Sequence, residues 1–224
     1  MLHKAGCMAL FAMAFAWTER DFEPAHYRSG TLPVETVQPQ TAGGGQVLLE
    51  LRIDESGRVG SVTTLRSTPP YAELLGNAVG RWHFAPARAK PEGKDELVPV
   101  ESRVLVAGLF RPPTSYDAPA RGEVPEDVAS ASEEVPFPVL TPTPLYPPTA
   151  ASHTGQVVLV EVDVGQEGNV TDSRIVRGAF GFDTVSLEAA QEWKFRPARR
   201  EGRAVSSTVY IVFGFREPVA VEGS

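Results

Sequence analysis

The residues that could carry out chemistry are scattered along the chain and form no catalytic or metal-binding arrangement. The paired carboxylates Asp54 and Glu55 fall in a predicted hairpin turn, where water keeps both ionised. No Gly-x-Ser-x-Gly sequence, typical of a serine hydrolase, is present. The histidines lack the His-x-x-x-His spacing of a metal site; they are His3, His26, His83 and His153. We therefore expect no enzymatic activity, no metal, no cofactor and no small-molecule substrate.

One group of basic residues, Arg196, Arg199, Arg200 and Arg203, lies close together in the sequence. Such a group could hold an anion, but a short run of charges is more often a solvated loop. The whole chain carries a formal net charge of -7, whereas a protein that binds nucleic acid needs a basic face. Nucleic acid is therefore not an expected partner.

An internal repeat organises the remaining sequence. Its 224 residues leave room for two domains of about 100 residues each. When each residue is placed beside the residue 111 positions later, several distinctive residues align without a gap. The aligned pairs are Gly57 with Gly168, Trp82 with Trp193, Phe84 with Phe195, and Pro86 with Pro197. This agreement predicts a tandem duplication.

Each copy shows the same succession of predicted elements. An alternating apolar strand leads through a glycine-containing turn to a second strand, then to a helix and a closing strand. In the second copy Asp183 is the predicted N-cap of the helix. We expect both Trp-x-Phe pairs to fill a core. The predicted fold class is α+β, with two tandem β-β-α-β domains, each a three-stranded antiparallel sheet packed by one helix.

Composition divides the chain into segments. Lys4, an apolar run and Ala14-Phe15-Ala16 have the order of a secretory signal peptide, which predicts export to the periplasm and cleavage after Ala16. The predicted segments are a signal peptide (1–16), a spacer (17–44), a first domain (45–111), an acidic proline-rich linker (112–143), a second domain (144–217) and a tail (218–224). Because proline lacks an amide donor, we expect the linker to stay out of sheet interiors.

The ordered motifs of the second copy resemble a known family. Tyr146-Pro147, then Gly155-Gln-Val-Val-Leu-Val-Glu-Val, then Trp193-Lys-Phe-Arg-Pro-Ala resemble the C-terminal domain of the TonB family of energy transducers. The resemblance covers residues 144–216. The first copy resembles the same domain from Gly45 to Phe110 but lacks the Tyr-Pro opening.

The resemblance implies a periplasmic protein whose closing strand binds an extended segment of an outer-membrane TonB-dependent transporter as an additional strand. It places that partner-binding site at Val205, Ser207, Val209, Ile211, Phe213 and Phe215, beside Pro144, Tyr146 and Pro147. Two alternatives stay open. The protein could be a scaffold whose edge strands pair between copies or between chains of a homodimer. It could also be a true energy transducer of the inner membrane, facing the periplasm, if the N-terminal segment is an anchor or the start is misassigned.

Overall fold

The structure of the chain, a computed structural model, describes residues 22–33, 44–91, 93–111, 121–123, 131–145, 147, 156–200 and 202–215. Residues 22–111 are called the first half below, and residues 131–215 the second half. In the first half the elements are β1 (Phe22–Glu23), β2 (His26–Ser29), β3 (Gly45–Ile53), β4 (Val59–Arg66), α1 (Tyr71–Val79), β5 (His83–Ala85), β6 (Ala87–Ala89), β7 (Val98–Val100) and β8 (Ser102–Arg111).

A short strand, β9 (Arg121–Glu123), lies between the halves. The elements of the second half are β10 (Phe137–Pro142), β11 (Gln156–Val164), β12 (Val170–Arg177), α2 (Asp183–Gln191), β13 (Lys194–Arg196), β14 (Ala198–Arg200), β15 (Arg203–Val205) and β16 (Ser207–Phe215). The fold is mixed α+β, with many strands and two helices among the described residues.

The main sheet has six strands in the order β12-β11-β16-β8-β3-β4. Within each half the three long strands are antiparallel neighbours. The closing strands of the two halves, β8 and β16, then pair in parallel over residues 105–111 and 209–215. The sequence predicts two separate three-stranded sheets; the structure joins them into one, because each closing strand lies along the edge that the other would leave open.

Two hydrophobic cores lie on opposite faces of this sheet. Successive side chains of a strand point to opposite faces, and Leu105 and Val106 of β8 accordingly belong to different cores. One core contains Val106 and the α1 residue Leu75, and the other contains Leu105 and the α2 residue Ala190. The helices therefore cover opposite faces, and each core includes strand residues from both halves.

A glycine turn fixes the same contact in each half. Gly57 and Gly168 have φ of +82° and +80°, and a Cβ atom there would lie within 2 Å of the carbonyl oxygen of Phe84 or Phe195. The amides of these phenylalanines donate to the glycine carbonyls at 2.8 Å. Only glycine combines this conformation with so close an approach. Both turns thereby hold a Trp-x-Phe segment whose aromatic rings are buried.

The start of α2 differs from the predicted start. Asp183 is the first helical residue and the N-cap position is Phe182, so the prediction of Asp183 as N-cap is wrong. Its carboxylate instead accepts a hydrogen bond from the backbone N–H of Ala179, at 2.8 Å, in the loop before the helix. Among the described residues no helix has the length and apolar character needed to cross a bilayer.

The two segments predicted as spacer and linker contain strands. Strands β1 and β2 lie within the predicted spacer, and β10 lies within the predicted linker, between β9 and β13 in a small sheet. The expectation that the linker stays out of sheet interiors is therefore wrong for β10. The sheet accommodates its prolines because the register with β13 shifts between Pro138 and Leu140, and such irregularities tolerate proline.

Candidate partner-binding strand

The strand expected to bind a partner, β16, lies inside the main sheet. It pairs with β11 on one side over residues 207–215 and with β8 on the other over residues 209–215. The predicted residues Val209, Ile211, Phe213 and Phe215 are buried. In this arrangement both hydrogen-bonding sides of residues 209–215 face protein strands.

The predicted site is divided where the chain bends. Val205 belongs to β15 and pairs with Ala198 of β14, whereas Ser207 begins β16 and pairs with Val164 of β11. The prediction of one continuous strand through both residues is wrong. The site thus consists of the nine residues of β16, with Val205 in a separate short hairpin.

The opening segment is only partly described. Pro144 is half-buried and Pro147 is buried, and neither lies in a strand; Tyr146 lies outside the described residues. Just before this segment, the carbonyl of Pro142, the last residue of β10, accepts a hydrogen bond from the indole N–H of Trp193 at 3.0 Å. This bond ties the segment before the opening to the core of the second half.

The sequence analysis did not predict that β16 is buried on both of its faces. Tyr210 and Val212 are fully buried in the core that contains α1, opposite the core that contains Ile211. A signal for this was present, because residues 104–107 and 209–213 are unbroken apolar runs. Unbroken runs of this length are typical of strands buried on both faces, as in parallel sheets.

A buried carboxylate beside β16 binds the N-terminal segment of the first half. Glu161 of β11 is 4% exposed and accepts hydrogen bonds from Arg174, at 2.7 and 3.0 Å, and contacts Nδ1 of His26 at 3.2 Å. Although burial opposes ionisation, hydrogen bonds from His26, Tyr210 and Arg174 lower the pKa of Glu161. The hydrogen bond with Glu161 in turn raises the pKa of His26.

The hydroxyl of Tyr210 makes a second contact with the same segment. It accepts a hydrogen bond from the backbone N–H of Tyr27 at 2.6 Å. Burial is the main reason why the pKa of Tyr210 is strongly raised, so this hydroxyl stays neutral. Strand β2, which pairs with β5 of its own half, is therefore also bonded to β16, the closing strand of the other half.

The corresponding carboxylate of the first half also contacts the N-terminal segment of the other half. Glu50 of β3 is 5% exposed and forms an ion pair with Arg103. Its other oxygen accepts a hydrogen bond from the backbone N–H of Ser132, at 2.9 Å, in the N-terminal segment of the second half. The N-terminal segment of each half is thus hydrogen-bonded to the sheet of the other half.

The terminal strands of the main sheet, β4 and β12, pair on one side only within the described part of the chain. Register shifts occur twice along each of these hairpins. Bulges of this kind twist a sheet edge and discourage the addition of another strand. These edges are therefore less suited to capturing an extended segment than a regular strand such as β16 would be.

One region of the chain matches a known protein family. The family model described as the Gram-negative bacterial TonB protein C-terminal matches residues 142–216, about a third of the chain. No curated protein matches the chain. Proteins of this family are non-enzymatic energy-transduction and binding domains of the cell envelope, and they interact with outer-membrane TonB-dependent receptors. The match supports a TonB-related role in transport, and the matched range contains the whole of β16.

Among the described residues no group of three or more His, Cys, Asp and Glu side chains is arranged to hold a metal ion.

Proposed function

We propose that this chain is a periplasmic protein-binding module of TonB-linked transport, exported by cleavage after Ala16, whose second half binds an extended segment of an outer-membrane TonB-dependent transporter along β16. The observation that carries the proposal is the family match over residues 142–216, which spans β10's last residue, α2 and β16. Strand addition fits because backbone groups along a regular strand supply affinity without requiring a particular side-chain pattern.

Binding along β16 requires that the transporter segment replace β8. The segment would take over the hydrogen bonds that residues 209–215 now share with residues 105–111. The apolar residues of β8 that would lose contacts include Leu105, Val106 and Leu109, all buried. At about 1.5–3 kcal/mol for each large side chain, complete separation costs on the order of 10 kcal/mol.

That cost is comparable with the binding free energy of a peptide with micromolar affinity, about 8 kcal/mol. Binding to the free protein is therefore weak unless the peptide gains contacts beyond those that β8 makes. In this proposal β8 of the first half already occupies the binding edge of β16. A partner binds there only by displacing β8.

The first half fits a second copy of the same design, and we propose a tandem duplication as its origin. With the same spacing of 111 residues, β2 pairs with β5 in the register that β10 uses with β13: His26 faces Ala85 as Phe137 faces Arg196. The indole N–H of Trp82 donates to the carbonyl of Thr31 at 2.9 Å, as that of Trp193 does to Pro142.

A second candidate function is a scaffold whose closing strands pair permanently with each other. The parallel pairing of β8 with β16, together with the two shared cores, favours it. A scaffold of this kind binds no transporter segment along β16. Homodimerisation through edge strands is the related alternative, and β4 and β12 are the edge strands of the main sheet within the described residues.

An engineered disulfide between β8 and β16, called the lock, distinguishes these functions because it prevents the two strands from separating until it is reduced. Ala107 and Ile211 are paired across the two strands, whose spacing of about 4.8 Å suits a disulfide. The test protein is Ala107→Cys with Ile211→Cys, in a chain whose single natural cysteine is changed by Cys7→Ser. The matched control is Leu49→Cys with Val106→Cys, which links β3 to β8 within the first half.

Binding of synthetic transporter segments is measured by fluorescence anisotropy with and without reductant. The proposed function predicts that the oxidised lock weakens binding at least about tenfold, that reductant restores it, and that the control lock has no effect. Equal binding by the oxidised and reduced lock would show that β16 is not the binding edge. The absence of binding by every form, with the protein folded, would favour the scaffold.

A further inference from the structure

The two closing strands separate at their N-terminal ends, and a cleft opens there between the halves. Their parallel pairing begins at Leu105 and Val209, although the strands themselves begin three and two residues earlier, at Ser102 and Ser207. The cleft has a volume of about 140 Å³ and is lined by residues from both halves. It is distinct from the strand-addition edge, which lies along residues 209–215.

Two buried hydroxyl groups in the wall of the cleft have no hydrogen-bond partner among the described residues. They are the Oγ atoms of Ser102 and Ser207. These serines hold the same position in their strands, eight residues before Phe110 and Phe215 respectively. A buried polar group without a partner costs free energy, so two of them beside one cleft indicate a missing acceptor.

Among the charged residues of the wall, the carboxylates are already paired, whereas two guanidinium groups can still donate hydrogen bonds to a ligand. The carboxylates of Glu101 and Glu134 already form ion pairs with Arg52 and Arg103. Two further arginines of the wall have no carboxylate partner within the part of the chain that the structure describes. They are Arg199, which donates to the carbonyl of Gly202, and Arg200, whose guanidinium lies 4.8 Å from the centre of the Phe22 ring.

We propose that this cleft binds a single carboxylate group, from either a small organic acid or the C-terminus of a peptide. A carboxylate presents about four acceptor positions, which suits two hydroxyl donors and nearby guanidinium groups. The volume is close to that of a protein cavity of about 150 Å³ that holds benzene, so about six non-hydrogen atoms fit. Glu101 and Glu134 disfavour a doubly charged anion such as phosphate.

Binding of a carboxylate in the cleft does not depend on transporter binding along β16. Because residues of both halves line the cleft, the bound carboxylate would hold the N-terminal ends of β8 and β16 together. The free energy of unfolding of the whole chain would then rise with carboxylate concentration.

The test is a titration of the full chain followed by backbone amide NMR at constant ionic strength. The probes are acetate, butyrate, trialanine with a free C-terminus, trialanine amide and inorganic phosphate. We expect saturable shifts of the amides of Ser102, Arg103, Ser206 and Ser207 with butyrate or free trialanine. Binding of butyrate indicates an organic acid, and binding of free trialanine alone indicates a peptide C-terminus.

The matched variants are Ser102→Ala with Ser207→Ala, and Ser61→Ala as a control, since Ser61 is an exposed residue of β4 outside the cleft. The double variant should bind at least about tenfold more weakly, because each hydroxyl supplies a hydrogen bond to a charged acceptor. It should unfold at the same urea concentration as the parent or a higher one, because it removes two unpartnered buried groups.

If the double variant does not fold, Arg200→Gln replaces it, with the same expected loss of binding. Any of three results would overturn the proposal. These are no saturable shift with any carboxylate, which would assign the hydroxyls to water; equal binding by the parent and the serine double variant, or Arg200→Gln in its place; or tighter binding of phosphate or trialanine amide than of the carboxylates.

Discussion

Ala107 and Ile211 lie opposite each other in adjacent parallel strands, one from each half of the chain. Both are fully buried, and both belong to the core that contains α2. A strand of the first half therefore lies along the edge at which the family resemblance places partner binding. The halves form one sheet with two cores, and access to β16 depends on whether β8 can leave.

Replacement of Gly168 should strongly destabilise the second half. Its φ is +80°, and the Cβ of an alanine would lie 1.8 Å from the carbonyl oxygen of Phe195, so Gly168→Ala forces the turn away from β13. Gly181→Ala is the control, because Gly181 has φ of +85° but open space around the added Cβ. The left-handed conformation alone costs about 1–2 kcal/mol.

Urea unfolding at equilibrium measures both variants. We expect Gly181→Ala to lower the free energy of unfolding by about 1–2 kcal/mol, and Gly168→Ala to lower it by clearly more, since it also breaks the hydrogen bond from the Phe195 amide. Equal losses in the two variants would contradict the close contact between this turn and β13.

Replacement of Gly76 should stabilise the first half. Gly76 lies inside α1, and an added Cβ would meet no atom within 4 Å. Because alanine is the better helix former, Gly76→Ala should raise the free energy of unfolding by up to about 1 kcal/mol. Gly80→Ala is the comparison, since its Cβ would lie 3.3 Å from the carbonyl oxygen of Gly76. A loss of stability in Gly76→Ala would contradict the placement of this residue.

The contact between His26 and Glu161 should make stability depend on pH. The pKa of His26 is raised above its ordinary 6.5, so its contribution is complete below pH 6.5 and is lost as the pH rises through the raised value. The pKa of Glu161 is lowered below 4.5, so its contribution is complete above pH 4.5 and is lost as the pH falls through the lowered value.

The destabilisation caused by His26→Gln should therefore be greatest between pH 4.5 and 6.5. Since the His26 side chain is 44% exposed, we expect less than about 1 kcal/mol. Urea unfolding of parent and variant at pH 5.5 and pH 8.5 provides the measurement. A difference in stability that does not shrink at pH 8.5 would show that protonated His26 does not interact with Glu161.

Local features of the fold could be predicted from the sequence. Gly57 and Gly168 mark the hairpin turns because a positive φ selects glycine strongly. The alternation of Val158, Val160 and Val162 predicts the strand itself, although not its second apolar face, where Val157 and Leu159 belong to the opposite core. These signals lie within a few residues of the feature that they predict, and the family motif of the second half is of the same local kind.

The joining of the two halves was not predictable from such signals. Pairing of β8 with β16 is a contact between residues 104 positions apart, such as Leu105 and Val209, and no turn between them specifies it. The cross-contacts of Glu50 and Glu161 depend on that pairing, because a carboxylate on a sheet face finds its partners only when the other half is in place. The unbroken apolar runs in both closing strands were the one sequence feature that pointed to it.

Amide hydrogen exchange along β16 tests the joined sheet most directly. Successive residues of a strand direct their amide groups to opposite neighbours, so one set faces β11 and the alternate set faces β8. Strand β12 is the internal reference, because within the described residues it pairs only with β11.

The joined sheet predicts slow exchange for every amide of residues 209–215 and an alternation of slow and fast exchange along β12. Fast exchange of every second amide in residues 209–215 would contradict it. That result would show that the edge facing β8 is open in solution and available for a partner strand.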